Sequence, residues 1–115
     1  MPDIKKLTER IIAFRDAREW KQFHNPKDLA LSLVLEATEV MEHFQWKNQG
    51  EIEEYMKTAK DDVGEELADV LYWVLLISHD LDIDVRTALE KKMEKNEAKY
   101  PIEKAKGKHT KYNKL

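Results

Sequence analysis

Two stretches of the chain, LALSLVLEATEVMEHF and GEELADVLYWVLLISHDL, carry apolar residues at helical spacing, and each holds two acidic residues three positions apart, Glu36/Glu39 and Glu66/Asp69. Three residues turn about 60° around a helix axis and climb roughly 4.5 Å along it. Both carboxylates of a pair therefore share one face, and here that face is the apolar one. Carboxylates are almost never fully buried unless paired or metal-bound, so a fold built on these helices must set a cation or water among four negative groups. The chain has no cysteine and no helical His pair, which leaves oxygen ligands. Such a set favours a hard divalent ion, Mg2+, with Mn2+ as a substitute.

The rest of the sequence fits that demand to an all-α, single-domain protein of 115 residues. Charged residues make up 37% of it and there are only three glycines and three prolines, as expected where Lys and Glu fill exposed helix faces. Helices are expected at about 3–22, 27–45, 59–81 and 85–99. Asn25-Pro26 opens the second, Lys47-Asn48-Gln49-Gly50 reads as a turn, EIEEYMKTAKDD as a short exposed helix, and Asp84 caps the fourth. The basic tail 101–115 follows Pro101 and is expected to be disordered unless something holds it. The net charge of −3 argues against a nucleic-acid binder. The first residues lack a signal-peptide core, and no apolar run reaches the length of a membrane span, which points to a soluble cytoplasmic protein. The third helix is apolar nearly all round, from Leu67 through Ile77, so it is expected to be buried against a second subunit.

Each feature also has a plainer reading. Glu-x-x-Glu is common on solvated helix faces, and the two pairs would also fit a buried lattice with Lys or Arg. A ferritin-like di-iron site is excluded because it needs Glu-x-x-His on two helices. If a Mg2+ ion is held, its usual companion is a phosphate-bearing ligand. Trp20, His24, Trp46 and Trp73 then supply rings for a flat base, although helix-end aromatics often simply fill a core. Lys92, Asn96 and Lys99 form a polar stripe suited to phosphate oxygens, or else a solvated lysine face.

Glu36-x-x-Glu39, 26 intervening residues and Glu66-x-x-Asp69 together resemble the signature of the all-α, MazG-like nucleoside triphosphate pyrophosphohydrolases. The strings RxWxQFHNPKxLALSLxxEATEVMEHFQWK, EELADVLYW, KKMxxNxxKYP and KYNKL are similar to the dCTP pyrophosphatase branch, and the likeness runs from Phe14 to Leu115. The resemblance implies a four-helix-bundle-type fold and a homotetramer built as a dimer of dimers. It also implies Mg2+-dependent hydrolysis of a deoxynucleoside triphosphate, dCTP or a modified dCTP, to the monophosphate and pyrophosphate for nucleotide-pool cleaning. By position it makes Glu36, Glu39, Glu66 and Asp69 metal ligands; one carboxylate can also hold the attacking water, with Glu39 the first choice and Glu36 not distinguished from it by the sequence. Trp20, His24, Trp46 and Trp73 would shape the base and sugar pocket. Lys92, Asn96, Lys99 and the Lys111-Tyr112 tail would meet phosphates. The chain departs from eukaryotic members of that branch at Ile11, where they carry His, and at Trp73, where they carry Tyr. The alternatives are the same chemistry on another or damaged pyrimidine nucleotide, and a non-enzymatic nucleotide-sensing or oligomerisation module.

Overall fold

The structure, a computed structural model, describes residues 3–115, and these are helical with no strand among them. The chain forms two compact units, one running to Asp82 and the other spanning Ile83–Leu115.

In the first unit, α1 (Ile4–Ala17), a 3-10 turn (Lys21–Phe23), α2 (Pro26–Glu42) and α3 (Gln49–Asp80) follow one another, with α2 and α1 both packed on α3. Leu29 of α2 and Leu75 and Leu76 of α3 are almost wholly buried, each contributing about 2 kcal/mol of hydrophobic stabilisation. Ala59 and Val63 extend that seam along α3.

Caps decide where the helices begin and end. Asp3 and Asn25 accept the backbone N–H of Lys6 and Asp28, and Pro26 follows Asn25 in the first turn. α1 stops at Ala17, five residues short of the expected 22, because Glu19 takes a left-handed φ of 53°. The Trp20 and Glu19 N–H groups then return to the carbonyls of Arg15 and Asp16, and the Trp20 ring meets Phe14 edge-on at 5.6 Å. This is a Schellman cap with its apolar contact. α2 ends at Glu42 rather than 45, and Lys47 Nζ donates to the His43 carbonyl just beyond it, at 2.8 Å.

α3 differs most from expectation. It runs unbroken for 32 residues from Gln49 and absorbs the segment read as a turn and a separate short helix. Asn48 accepts from Glu51 N–H at 2.9 Å while Glu51 accepts from Asn48 N–H at 3.2 Å, a capping box that starts the helix ten residues early.

The second unit holds α4 (Val85–Lys99), a four-residue α5 (Ile102–Ala105) and a 3-10 turn (Tyr112–Lys114). Asp84 caps α4 by accepting from Thr87 N–H at 3.1 Å. The tail is not the featureless segment its composition suggests, since Tyr112 packs edge-on against Tyr100 at 6.2 Å and Lys99 Nζ lies 4.6 Å from the Tyr112 ring centre.

Candidate metal and nucleotide site

α2 and α3 bring the two acidic pairs together. One carboxylate oxygen from each of Glu36, Glu39 and Glu66 lies within 4.8 Å of the others. Glu36 and Glu66 are the inward members, half-buried, while Glu39 and Asp69 are exposed. Asp69 adds its negative field to both Glu36 and Glu66.

Burial, followed by the neighbouring Glu39 carboxylate, pushes the Glu36 carboxyl up from 4.5 to about 7. Glu66 is raised as well, first by the Glu39 carboxylate beside it and then by burial. Glu36 Oε2 and Glu66 Oε2 are buried without any hydrogen-bond partner. Acceptors in that condition are costly, and no Lys or Arg forms an ion pair with them among the described residues. The ion-pair lattice is thus not what forms. Three oxygen donors around one point, short of positive charge, could hold a divalent cation.

The carboxylates open onto two cavities. Glu36 and Asp69 line one of about 550 Å³, walled mostly by Leu7, Ile11, Phe14, Trp20, Tyr72 and Trp73, with Arg10 at its edge. Its rings interlock edge to face, Phe14 with Trp20 at 5.6 Å and with Tyr72 at 6.4 Å, and Tyr72 with Trp73 at 5.0 Å. The Arg18 guanidinium lies 3.9 Å from the Phe14 ring centre and holds that wall from outside. Glu39 and Glu66 line the second cavity, about 350 Å³, with Glu42, His43, Lys47 and Tyr55.

Of the aromatic residues expected at a base pocket, Trp20 and Trp73 line the aromatic cavity. His24 stands beside them, its ring edge-on to Trp73 at 5.9 Å and its Nδ1 3.4 Å from Arg15 NH1. The guanidinium can only donate, so Nδ1 accepts and the neutral ring carries its proton on Nε2. Burial, then the Arg15 charge, lowers the pKa of His24 and favours that neutral form. Trp46 stands 86% exposed and lines neither cavity. Lys92, Asn96 and Lys99 lie on α4 of the second unit, Lys92 exposed and the other two half-buried.

Sequence reasoning passed over Arg10, Phe14 and Tyr72 as site residues, and over the whole His43, Lys47 and Tyr55 group. Leu7, Ile11 and Phe14, spaced by four and three on α1, carried a readable signal of one helix face. The His43 and Tyr55 pairing joins the residue after α2 to α3 across a turn and carried none.

The sequence model of the MazG-like family matches residues 31–115. The chain is 34% identical to dCTP pyrophosphatase 1 of Rattus norvegicus and 35% identical to dCTP pyrophosphatase 1 of Homo sapiens. Each alignment covers all of this chain and 67% of the relative. A crystal structure of a pyrophosphatase from Archaeoglobus fulgidus superposes with a TM-score of 0.81 at 39% identity, covering 88% of this chain and 94% of that one.

Proposed function

The chain belongs to the MazG-like family, and from that premise we propose that it hydrolyses a nucleoside triphosphate, dCTP or a modified dCTP, to the monophosphate and diphosphate in nucleotide-pool cleaning. The observation that carries this reading is the carboxylate cluster, with two buried and unpartnered oxygens, set at the edge of an aromatic cavity. The named relatives, dCTP pyrophosphatases and a pyrophosphatase, support the same reading.

Glu36, Glu39, Glu66 and Asp69 are the proposed holders of Mg2+. When bound, that ion supplies positive charge between a polyanionic substrate and the carboxylates, and it acidifies a coordinated water.

The residues of the chain do the rest. Trp20 and Trp73, with Phe14 and Tyr72, take the base on their faces and edges and keep water from it. His24, fixed with its proton on Nε2, offers a donor to an oxygen of the base or sugar. In the reaction the water oxygen bonds to the α-phosphorus and the bond from that phosphorus to the α–β bridging oxygen breaks. The electron pair leaves on the diphosphate, and the water proton passes to a carboxylate. Glu39 is assigned that proton, since it is exposed and has a carboxylate oxygen within 4.8 Å of both inward carboxylates. Lys92, Asn96, Lys99 and the Lys111-Tyr112 tail are assigned to phosphate oxygens, and Trp46 to the base and sugar. A homotetramer, a dimer of dimers, would bring α4 of one copy to the carboxylates of another.

The test is pyrophosphate release with Mg2+ across the common and modified nucleotides. The expected result is highest kcat/KM on a cytosine deoxynucleotide, with Glu39→Gln lowering kcat about 100-fold or more while the protein stays folded. A preference for another pyrimidine would move the substrate assignment, and no Mg2+-dependent turnover of any nucleotide would overturn the proposal.

A further inference from the structure

The second cavity has no part in the reaction as derived so far, although it shares Glu39 and Glu66 with the cluster. We propose that this cavity, built from His43, Lys47 and Tyr55, is a subsite for the diphosphate end of the nucleotide, with Lys47 its principal ligand. The proposal rests on the hydrolysis reading above and adds where the leaving group sits.

The argument begins with the order of chemistry along the site. Glu36 and Asp69 face an aromatic space, while Glu39 and Glu66 face a polar one. A nucleoside triphosphate has the same order: a flat base at one end, then the α-phosphorus, then two more phosphates. With the base among the rings and the α-phosphate at the carboxylates, the β and γ phosphates continue toward the polar side.

Lys47 is held ready there. Its Nζ donates to the His43 carbonyl at 2.8 Å and lies 4.3 Å from the Tyr55 ring centre, so the long side chain is half-buried and fixed. An ammonium has three N–H donors, and one bond to a carbonyl leaves others for phosphate oxygens. His43 Nδ1 and Tyr55 Oη are hydrogen-bonded to each other, their rings tilted 39° with centres 5.8 Å apart. If Tyr55 donates, the neutral His43 keeps its Nε2–H; if His43 donates, Tyr55 keeps its O–H. One donor remains in either arrangement. The acidic walls do not forbid an anion, because Glu39 and Glu66 are the carboxylates that a bound cation neutralises. Glu42 is then the one carboxylate left to oppose Lys47.

The direct probe is inorganic pyrophosphate, titrated calorimetrically into the Mg2+-loaded protein and measured again as a product inhibitor. Lys47→Gln is expected to weaken pyrophosphate about tenfold while leaving nucleoside monophosphate affinity unchanged, and Lys47→Arg to restore most of the loss. Tyr55→Phe, which removes only the hydroxyl, is expected to weaken pyrophosphate by a smaller factor. Pyrophosphate affinity indifferent to Lys47, or equal weakening of monophosphate and pyrophosphate, would overturn the subsite. Because the titration needs no turnover, the two readings fail separately. Lys47-dependent pyrophosphate binding without nucleotide hydrolysis upholds the subsite and sinks the reaction, and hydrolysis with Lys47-independent pyrophosphate binding does the reverse.

Discussion

Arg15 has no exposed surface, and its guanidinium is sustained there by two bonds to Asp80, at 2.7 and 2.9 Å. Its third face touches His24, so one buried charge ties α1 to the end of α3 and orients a ring beside the aromatic cavity. Removing one partner of such a pair leaves an uncompensated charge, and Asp80→Asn is expected to cost about 3 kcal/mol at neutral pH, read by urea denaturation. The hydrogen bond to Arg15 holds the Asp80 carboxyl below its ordinary 3.8. A depressed carboxyl stabilises the fold above its ordinary pKa, and that stabilisation is lost as pH falls through the lowered value. The stability gap between wild type and Asp80→Asn is therefore expected to be full above pH 3.8 and to close only at more acid pH. None of this was legible in the sequence, where Arg15 and Asp80 stand 65 residues apart in polar company.

Among the elements, α3 supplies Glu66, Asp69, Tyr72, Trp73 and Tyr55, so this one unbroken helix sets the geometry of both cavities. Gly64 lies near its middle with nothing within 4 Å of where a Cβ would stand. Gly64→Ala is expected to raise stability by about 1 kcal/mol, seen as a higher Tm, through a smaller loss of backbone freedom on folding. That Glu36 and Glu66 turn inward could be read from helical spacing, because that rule is local, but their partners Glu39 and Asp69, expected on the same apolar face, are exposed. The start of α3 was readable too, as Asn48-x-x-Glu51, but the glycine between those residues outweighed the capping signal in the reading. Glu19 was not readable as the stop of α1, since nothing in a Glu announces a left-handed backbone. Of the partners of Lys47, the His43 carbonyl lies four residues back, whereas Tyr55 comes from across the turn and could not be found from spacing.

For the whole molecule, the apolar character of α2 and α3 exceeds what one copy buries. Leu31, Val34 and Leu35 remain 53%, 61% and 65% exposed on α2, and Leu67 and Leu71 remain 53% and 45% exposed on α3. On α2 these residues recur at spacings of three and four, which makes a stripe rather than a scatter. The proposed homo-oligomer would cover it, and Leu35→Glu is expected to lower the mass measured by light scattering toward that of one chain, 13.6 kDa. Among the described residues, no helix is long and apolar enough to cross a membrane.

The raised Glu36 carboxyl has a consequence for how the site is filled. A carboxyl with a pKa of about 7 still holds a proton in much of the protein at neutral pH, and a cation can take its place only by driving that proton into the solvent. Loading is then an acid-releasing reaction. The apparent affinity for Mg2+ is expected to climb with pH up to about 7 and level off above it. Below that pH, the heat of binding is expected to differ between Pipes and Bis-Tris in proportion to their ionisation enthalpies, which counts the displaced proton without any substrate present.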